Sequence, residues 1–161
     1  MTTTEPTTIH NTSVIEHKYP QPPAGVYAAF AQPARKRRWY AEGDHEIREF
    51  EMEFRIGGSE RLHYRFKPGH PIEGQEIVNQ SIYQDIVPEK RIVVASIMSL
   101  NGKPILAAQV TFEFLPSESG TDLICTNQGA FFDWPQGPAM IDAGWRSLLD
   151  RVAAELEGQS A

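Results

Sequence analysis

The stretch from Pro138 to Glu157, PAMIDAGWRSLLDRVAAELE, constrains this chain more than any other. Ile141, Trp145, Leu148, Leu149, Val152 and Leu156 recur at three- and four-residue steps, which places them on one face of an α-helix. Asp142, Arg146, Asp150, Arg151, Glu155 and Glu157 fall mostly off that face. Pro138 suits the first helical position, where a missing N–H costs no hydrogen bond, and Gly158 suits the C-terminal stop. At 1.5 Å per residue the helix is about 30 Å long. Each large side chain it buries is worth about 1.5–3 kcal/mol before entropy costs. Covering the whole stripe takes a wide apolar surface, which the rest of the chain must supply.

That surface reads as strands. Val14–Tyr19 is a first strand stopped by Pro20, and Pro23 opens a helix carrying Val26, Tyr27, Phe30 and Ala31. Pro33 breaks it, and a second short helix runs over Ala34–Tyr40. From Ile47 the period falls to two: Phe50, Met52, Phe54 and Ile56 alternate with Glu49, Glu51, Glu53 and Arg55, a strand with one wet face. Gly57-Gly58 marks a hairpin, after which Leu62, Tyr64 and Phe66 alternate with Arg61, His63, Arg65 and Lys67. Further strands are expected over Gly74–Val87, bent near Asn79, and over Arg91–Leu100. Leu106–Phe114 follows the Asn101-Gly102 hairpin, and Thr121–Gly129 follows a turn at Pro116–Gly120. Ala130–Gly137, with Phe131, Phe132 and Trp134, is expected to be a loop. The predicted class is α+β: a curved antiparallel sheet of about seven strands around the C-terminal helix, with two short helices after the first strand. Such a sheet need not fill its concavity with its own side chains, so a cavity under the helix is a natural ligand site.

With 161 residues the chain has room for one domain and one core, expected over 13–158 behind a polar, Thr-rich, disordered lead-in at 1–12. A net charge of −6 argues against general affinity for nucleic acid or anionic membrane, and no apolar run is long enough to span a bilayer. Cys125, the single cysteine, excludes an internal disulfide, and the N-terminus lacks a signal-peptide core; both favour the cytoplasm. In this acidic setting Arg35, Lys36, Arg37 and Arg38 read as a solvated helix face beside Trp39 and Tyr40 rather than a phosphate site.

No pattern points to a cofactor or metal. His10, His17, His45, His63 and His70 show no metal-ligand spacing, Gly57-Gly58 lacks the phosphate-loop patterns, and Ser147 sits in no nucleophile elbow. His63 has outward strand parity, and Asp142 lies near a helix start that stabilises a carboxylate; neither argues for a catalytic group. The candidate cavity wall is Trp39, Phe54, Tyr64, Tyr83, Met98, Phe112, Phe131, Trp145 and Leu149, with Asn127 as a polar group on the inward parity of Leu123 and Cys125. Trp145 serves either as a stacking surface or as the largest core residue. Tyr64, Tyr83, Ser96 and Asn127 either orient a ligand's polar end or satisfy the core.

Four motifs in order resemble one known family. They are Pro23–Trp39, the strand–hairpin–strand of Phe50–Tyr64, Ile86-Val87-Pro88-Glu89-Lys90-Arg91-Ile92, and the final-helix start Gly144-Trp145-Arg146-Ser147-Leu148-Leu149-Asp150-Arg151. Together they resemble the START-like helix-grip superfamily. Within it they are similar to the family named for the C-terminal domain of the Hsp90 ATPase activator. The resemblance spans residues 13–157 and implies a helix-grip fold. The founding co-chaperone carries a separate N-terminal domain for which this chain has no room, so Hsp90 activation does not carry over with the fold. Superfamily members include lipid carriers and cyclases. The expected function is therefore binding of an apolar or amphipathic small molecule, without membrane insertion. A cyclase-like enzyme using the same cavity and a chaperone-associated stress-response module are the alternatives. A homodimer stays open.

Overall fold

The computed structural model of the chain describes residues 7–160; residues 1–6, half of the expected lead-in, lie outside them. The elements are β1 (Thr8–Tyr19), α1 (Pro23–Ala31), α2 (Pro33–Lys36), β2 (His45–Met52), β3 (Ser59–Phe66), β4 (Glu76–Val87), β5 (Arg91–Leu100), β6 (Lys103–Ser117), β7 (Gly120–Phe132) and α3 (Gly137–Ser160). The strands form one antiparallel sheet in the order β1-β7-β6-β5-β4-β3-β2, curved around α3.

Several boundaries differ from expectation for reasons outside local pattern. β1 begins at Thr8 because its backbone pairs with the far end of β7, Thr8 opposite Phe132 and Thr12 opposite Gln128. The same pairing draws Ala130–Phe132, expected as loop, into β7. β2 stops at Met52; the chain then turns tightly, Gly58 N–H bonds the Arg55 carbonyl, and Ile56 is left 59% exposed. β4 is bulged between Tyr83 and Asp85 rather than bent at Asn79. α3 runs through Gly158 instead of ending there. The Asn101-Gly102 hairpin takes the left-handed conformations its sequence suits, with φ of 49° and 84°. Gly120 is required where β7 starts: with φ at 145°, a Cβ there would lie 2.2 Å from the Tyr19 carbonyl oxygen.

The basic run is a correction. α2 continues as one wide π-helical turn over Arg37–Ala41, closed by Glu42 N–H on the Arg37 carbonyl. Every cation of the run has a carboxylate: Arg35 and Arg38 share Glu155, Arg37 meets Glu42, and Lys36 meets Glu60 at 2.6 Å. Arg37 and Arg38 are half-exposed, but Lys36 is buried, 4% exposed, on the face it shares with Trp39 and Tyr40.

α3 is anchored by its C-terminal half. Leu149 and Val152 are fully buried, Leu156 nearly so, and the Tyr19 hydroxyl donates to the Leu149 carbonyl at 2.7 Å. Ile141, Trp145 and Leu148, one to two turns earlier on the same stripe, are only half-buried. Replacing Leu149 with Ala is expected to cost about 2–5 kcal/mol in urea unfolding. A loss under about 1 kcal/mol would mean α3 is not seated as described.

Candidate ligand-binding cavity

The concave face of the sheet is built in rows that cross the strands. One row, Ile15–Cys125–Phe112–Ile92, is large, apolar and buried. Further along the strands a second row reads Gly129–Ala108–Ser96–Ser81–Glu60. Its side chains are mostly small, and α3 passes over them without filling the space. A third row, Phe131–Leu106–Met98–Asn79–Leu62, restores apolar bulk. The result is a cavity of about 690 Å³ between the sheet and the N-terminal half of α3. Small-molecule sites span roughly 300–1,000 Å³.

The cavity has a wet end and a dry end. At the first, exposed Lys103, Asp133 and Met140 line it beside Trp134 and Gln75, with Lys103 and Asp133 4.0 Å apart. At the second, Leu62, Val110 and Asn127 are almost fully covered. Apolar walls come from Tyr64, Met98, Leu106, Ile141, Trp145 and Leu148. His45 stacks on Tyr64, centroids 4.2 Å apart, and its Nε2 donates to the Ala41 carbonyl at 2.6 Å. The carbonyl can only accept, so Nε2 carries the proton. Burial raises the Tyr64 phenol to about 12, and burial followed by the Glu60 charge raises Tyr40 well above its usual value. Both therefore stay protonated at neutral pH and serve as hydrogen-bonding walls. Asn79 beside the Tyr40 hydroxyl acts against that rise.

At the β3 end of the small-residue row lies a buried charged knot. Glu60 accepts from the Tyr83 hydroxyl and meets Lys36 Nζ, each at 2.6 Å. The ammonium is also enclosed by the rings of Tyr40, Tyr83 and Trp39, at 4.7, 5.8 and 5.9 Å. Neither charge has water to solvate it, so each depends on the other and on the rings. Ser81 donates to Ser96 at 3.1 Å and carries the polar band across to β5.

The profile of the family described as Activator of Hsp90 ATPase homolog 1-like protein matches residues 20–157. The chain belongs to this family. Crystal structures with the same architecture accompany that match. The Mll3558 protein of Rhizobium loti is 40% identical, with 92% of this chain and 98% of that one covered and a TM-score of 0.82. An uncharacterized protein of Rhizobium leguminosarum is 32% identical over 93% and 96%, TM-score 0.85. The CV1439 protein of Chromobacterium violaceum is 25% identical over 91% and 97%, TM-score 0.77. No curated protein matches the chain. Among the described residues, no helix is long and apolar enough to cross a membrane.

In this Activator of Hsp90 ATPase homolog 1-like chain, Tyr64, Met98, Asn127 and Trp145 of the expected wall do line the cavity. The rest sit in the solid part of the core. Trp39 packs on Phe30 and donates Nε1–H to the Ala29 carbonyl; Tyr83 is spent on Glu60; Phe54 meets Tyr83 and Tyr27 edge-on, away from α3. Phe112 lies under Trp145 at 5.3 Å, Phe131 under Trp134, and Leu149 in the helix anchor. Tyr40, His45, Asn79 and Arg151 line the cavity without having been expected there. The charged knot was also missed, although Glu60 shares the parity of Leu62 and Tyr64, and Lys36 the helical face of Trp39 and Tyr40. Cys125 is buried and its thiol raised to about 12, by burial and then the Asp142 charge, so it is no nucleophile. Asp142 is held below the usual carboxylate range by bonds from Ser13 and Arg146, a surface role.

Lys36→Met strands the Glu60 charge and is expected to cost about 3–5 kcal/mol in urea unfolding. Adding Glu60→Gln should recover part of that loss. Equal, additive losses in the double-mutant cycle would mean that the two groups do not support each other.

Proposed function

We propose that the chain is a binding protein for an apolar or amphipathic small molecule, held between the concave sheet and the N-terminal half of α3. The observation that carries this is the gap itself. α3 is seated at one end, while the row Gly129–Ala108–Ser96 beneath its other end has too little side chain to meet it. A folded core ordinarily packs such space shut. Here the walls are aromatic and aliphatic, with a small number of polar groups among them, the composition of a small-molecule site.

Binding is favoured over catalysis by the walls, which are mostly aromatic and aliphatic. A cyclase-like reading would start from His45, whose Nδ1 stays an acceptor while Nε2 bonds the Ala41 carbonyl, beside the Tyr64 phenol. A protein-contact role is the second reading, resting on the convex face. Ile82 and Ile97 are half-exposed there, beside Ala95 and Ala107 and bordered by Gln80, Gln84 and Gln109. The cavity is the better-built feature, because its walls converge and the convex patch is open.

Trp145 stands in the cavity wall against Phe112 and Tyr40 and should report occupancy. Titration with the neutral probe N-phenyl-1-naphthylamine is expected to change Trp145 fluorescence with Kd below about 100 μM, or about −5.5 kcal/mol. Ala108→Phe, which fills the small-residue row, should weaken that binding at least tenfold without lowering the unfolding midpoint. No binding by the native protein, or undiminished binding by Ala108→Phe, would reject the cavity as the site.

A further inference from the structure

The cavity wall carries three charged side chains, and they do not cancel. Lys103 and Asp133 offset each other at the wet end. Arg151, on the last turn of α3 to reach the cavity, meets no carboxylate among the described residues. The acid one helical turn further on, Glu155, is taken by Arg35 and Arg38, and the adjacent Asp150 meets His17 of β1. With His45 neutral, the wall therefore sums to one positive charge, in a chain whose net charge is −6.

The guanidinium is held in place but not used up. Nη2 donates to the Arg38 carbonyl at 2.8 Å. Nη1 lies beside Gly43, where a Cβ would come within 3.3 Å of it and within 3.1 Å of His45 Cε1. The Arg38 contact orients the plane of the group and leaves Nε and Nη1 to donate elsewhere. Arg151 is half-buried, so an anion at this rim keeps part of its water and escapes the penalty of a charge taken into the dry interior. Lys103 is a weaker draw, because it is 71% exposed and already faces Asp133. One planar fork bearing one charge matches the two oxygens and single charge of a carboxylate. From Arg151 the apolar wall runs back along α3 through Leu148, Trp145 and Ile141 to Met140, about 16 Å along the helix axis.

We infer that the ligand is an amphipathic carboxylate, its head on the Arg151 guanidinium at the rim between α3 and the start of β2, its apolar body under the N-terminal half of α3. This deepens the small-molecule reading above and rests on it. It adds a rule that apolar packing does not supply: ligands of equal length are ranked by head-group charge, and the ranking depends on one side chain.

The test uses three probes of equal chain length competing with N-phenyl-1-naphthylamine at neutral pH, below their micelle concentrations: undecanoate, 1-undecanol and undecylammonium. Undecanoate is expected to displace the fluorophore at about tenfold lower concentration than 1-undecanol, and undecylammonium to be the weakest. In Arg151→Gln the fluorophore should still bind and the undecanoate advantage should vanish. On the native protein, which avoids any folding defect of the variant, the Arg151 Nε–H resonance should shift further with undecanoate than with 1-undecanol. If the fluorophore and all three probes fail to bind, the small-molecule reading itself falls. If the fluorophore binds but 1-undecanol or undecylammonium competes as well as undecanoate, this inference alone is overturned. It is overturned equally if the advantage survives Arg151→Gln, as it would were Lys103 holding the head, or if the Arg151 resonance does not move with undecanoate.

Discussion

Everything in this fold depends on how α3 is fastened. Its C-terminal half is driven into the sheet by Leu149, Val152 and Leu156, and pinned laterally by Tyr19 on the Leu149 carbonyl and by Arg35 and Arg38 on Glu155. A straight helix and a curved sheet can be in full contact along only part of their length. Once one half is fixed, the separation over the other half follows from the tilt, and the side chains of the sheet decide whether that space is filled. In the row Gly129–Ala108–Ser96–Ser81 they are too small to fill it. Anchor and cavity are therefore two consequences of one packing choice.

The charged knot marks the border between the solid core and the open half. A buried ion pair contributes little net stability, because desolvation offsets most of the attraction. What the Lys36–Glu60–Tyr83 group does supply is position. It ties the last residue of α2 to the start of β3 and to Tyr83 of β4, and holds the ammonium against the Tyr40 ring. Tyr40 in turn faces Trp145 across 6.4 Å, and both stand in the cavity wall with Asn79. Apolar replacements could fill the same volume, but they would not set that direction.

Strand alternation and the helical stripe made the class, the element order and the inward faces legible before any coordinates. Parity assigns a residue to a face and says nothing about its place along the strand's length relative to α3. That is why Tyr64 and Met98 fell in the cavity while Phe112 and Tyr83, on the same faces, fell in the solid core. Lys36 and Glu60 sit at inward positions, but local pattern carries no sign that two charges far apart in sequence meet and neutralise each other there. Thr8–Thr12 carries no alternation that marks a strand, and only its pairing with Gln128–Phe132 orders it. The small-residue row spans several strands, so it appears only once the registers are known.

The arrangement sets two costs beside each other. The gap under α3 forgoes the contacts that a packed core would make, and the Asn127 amide forgoes a hydrogen bond worth about 1 kcal/mol, with a larger penalty when the donor stays dry. Both fall at the same place, and neither is imposed by the topology. Val110, opposite Asn127 in the adjoining strand, is an ordinary apolar choice on the same face, and the larger rows on either side show that bulk is accommodated there. Where local rules for a stable fold are broken together, and the breaks converge on one enclosed volume, function is the economical cause. A guest with an apolar body would remove the first of these costs, because it supplies the contacts that the sheet leaves unmade.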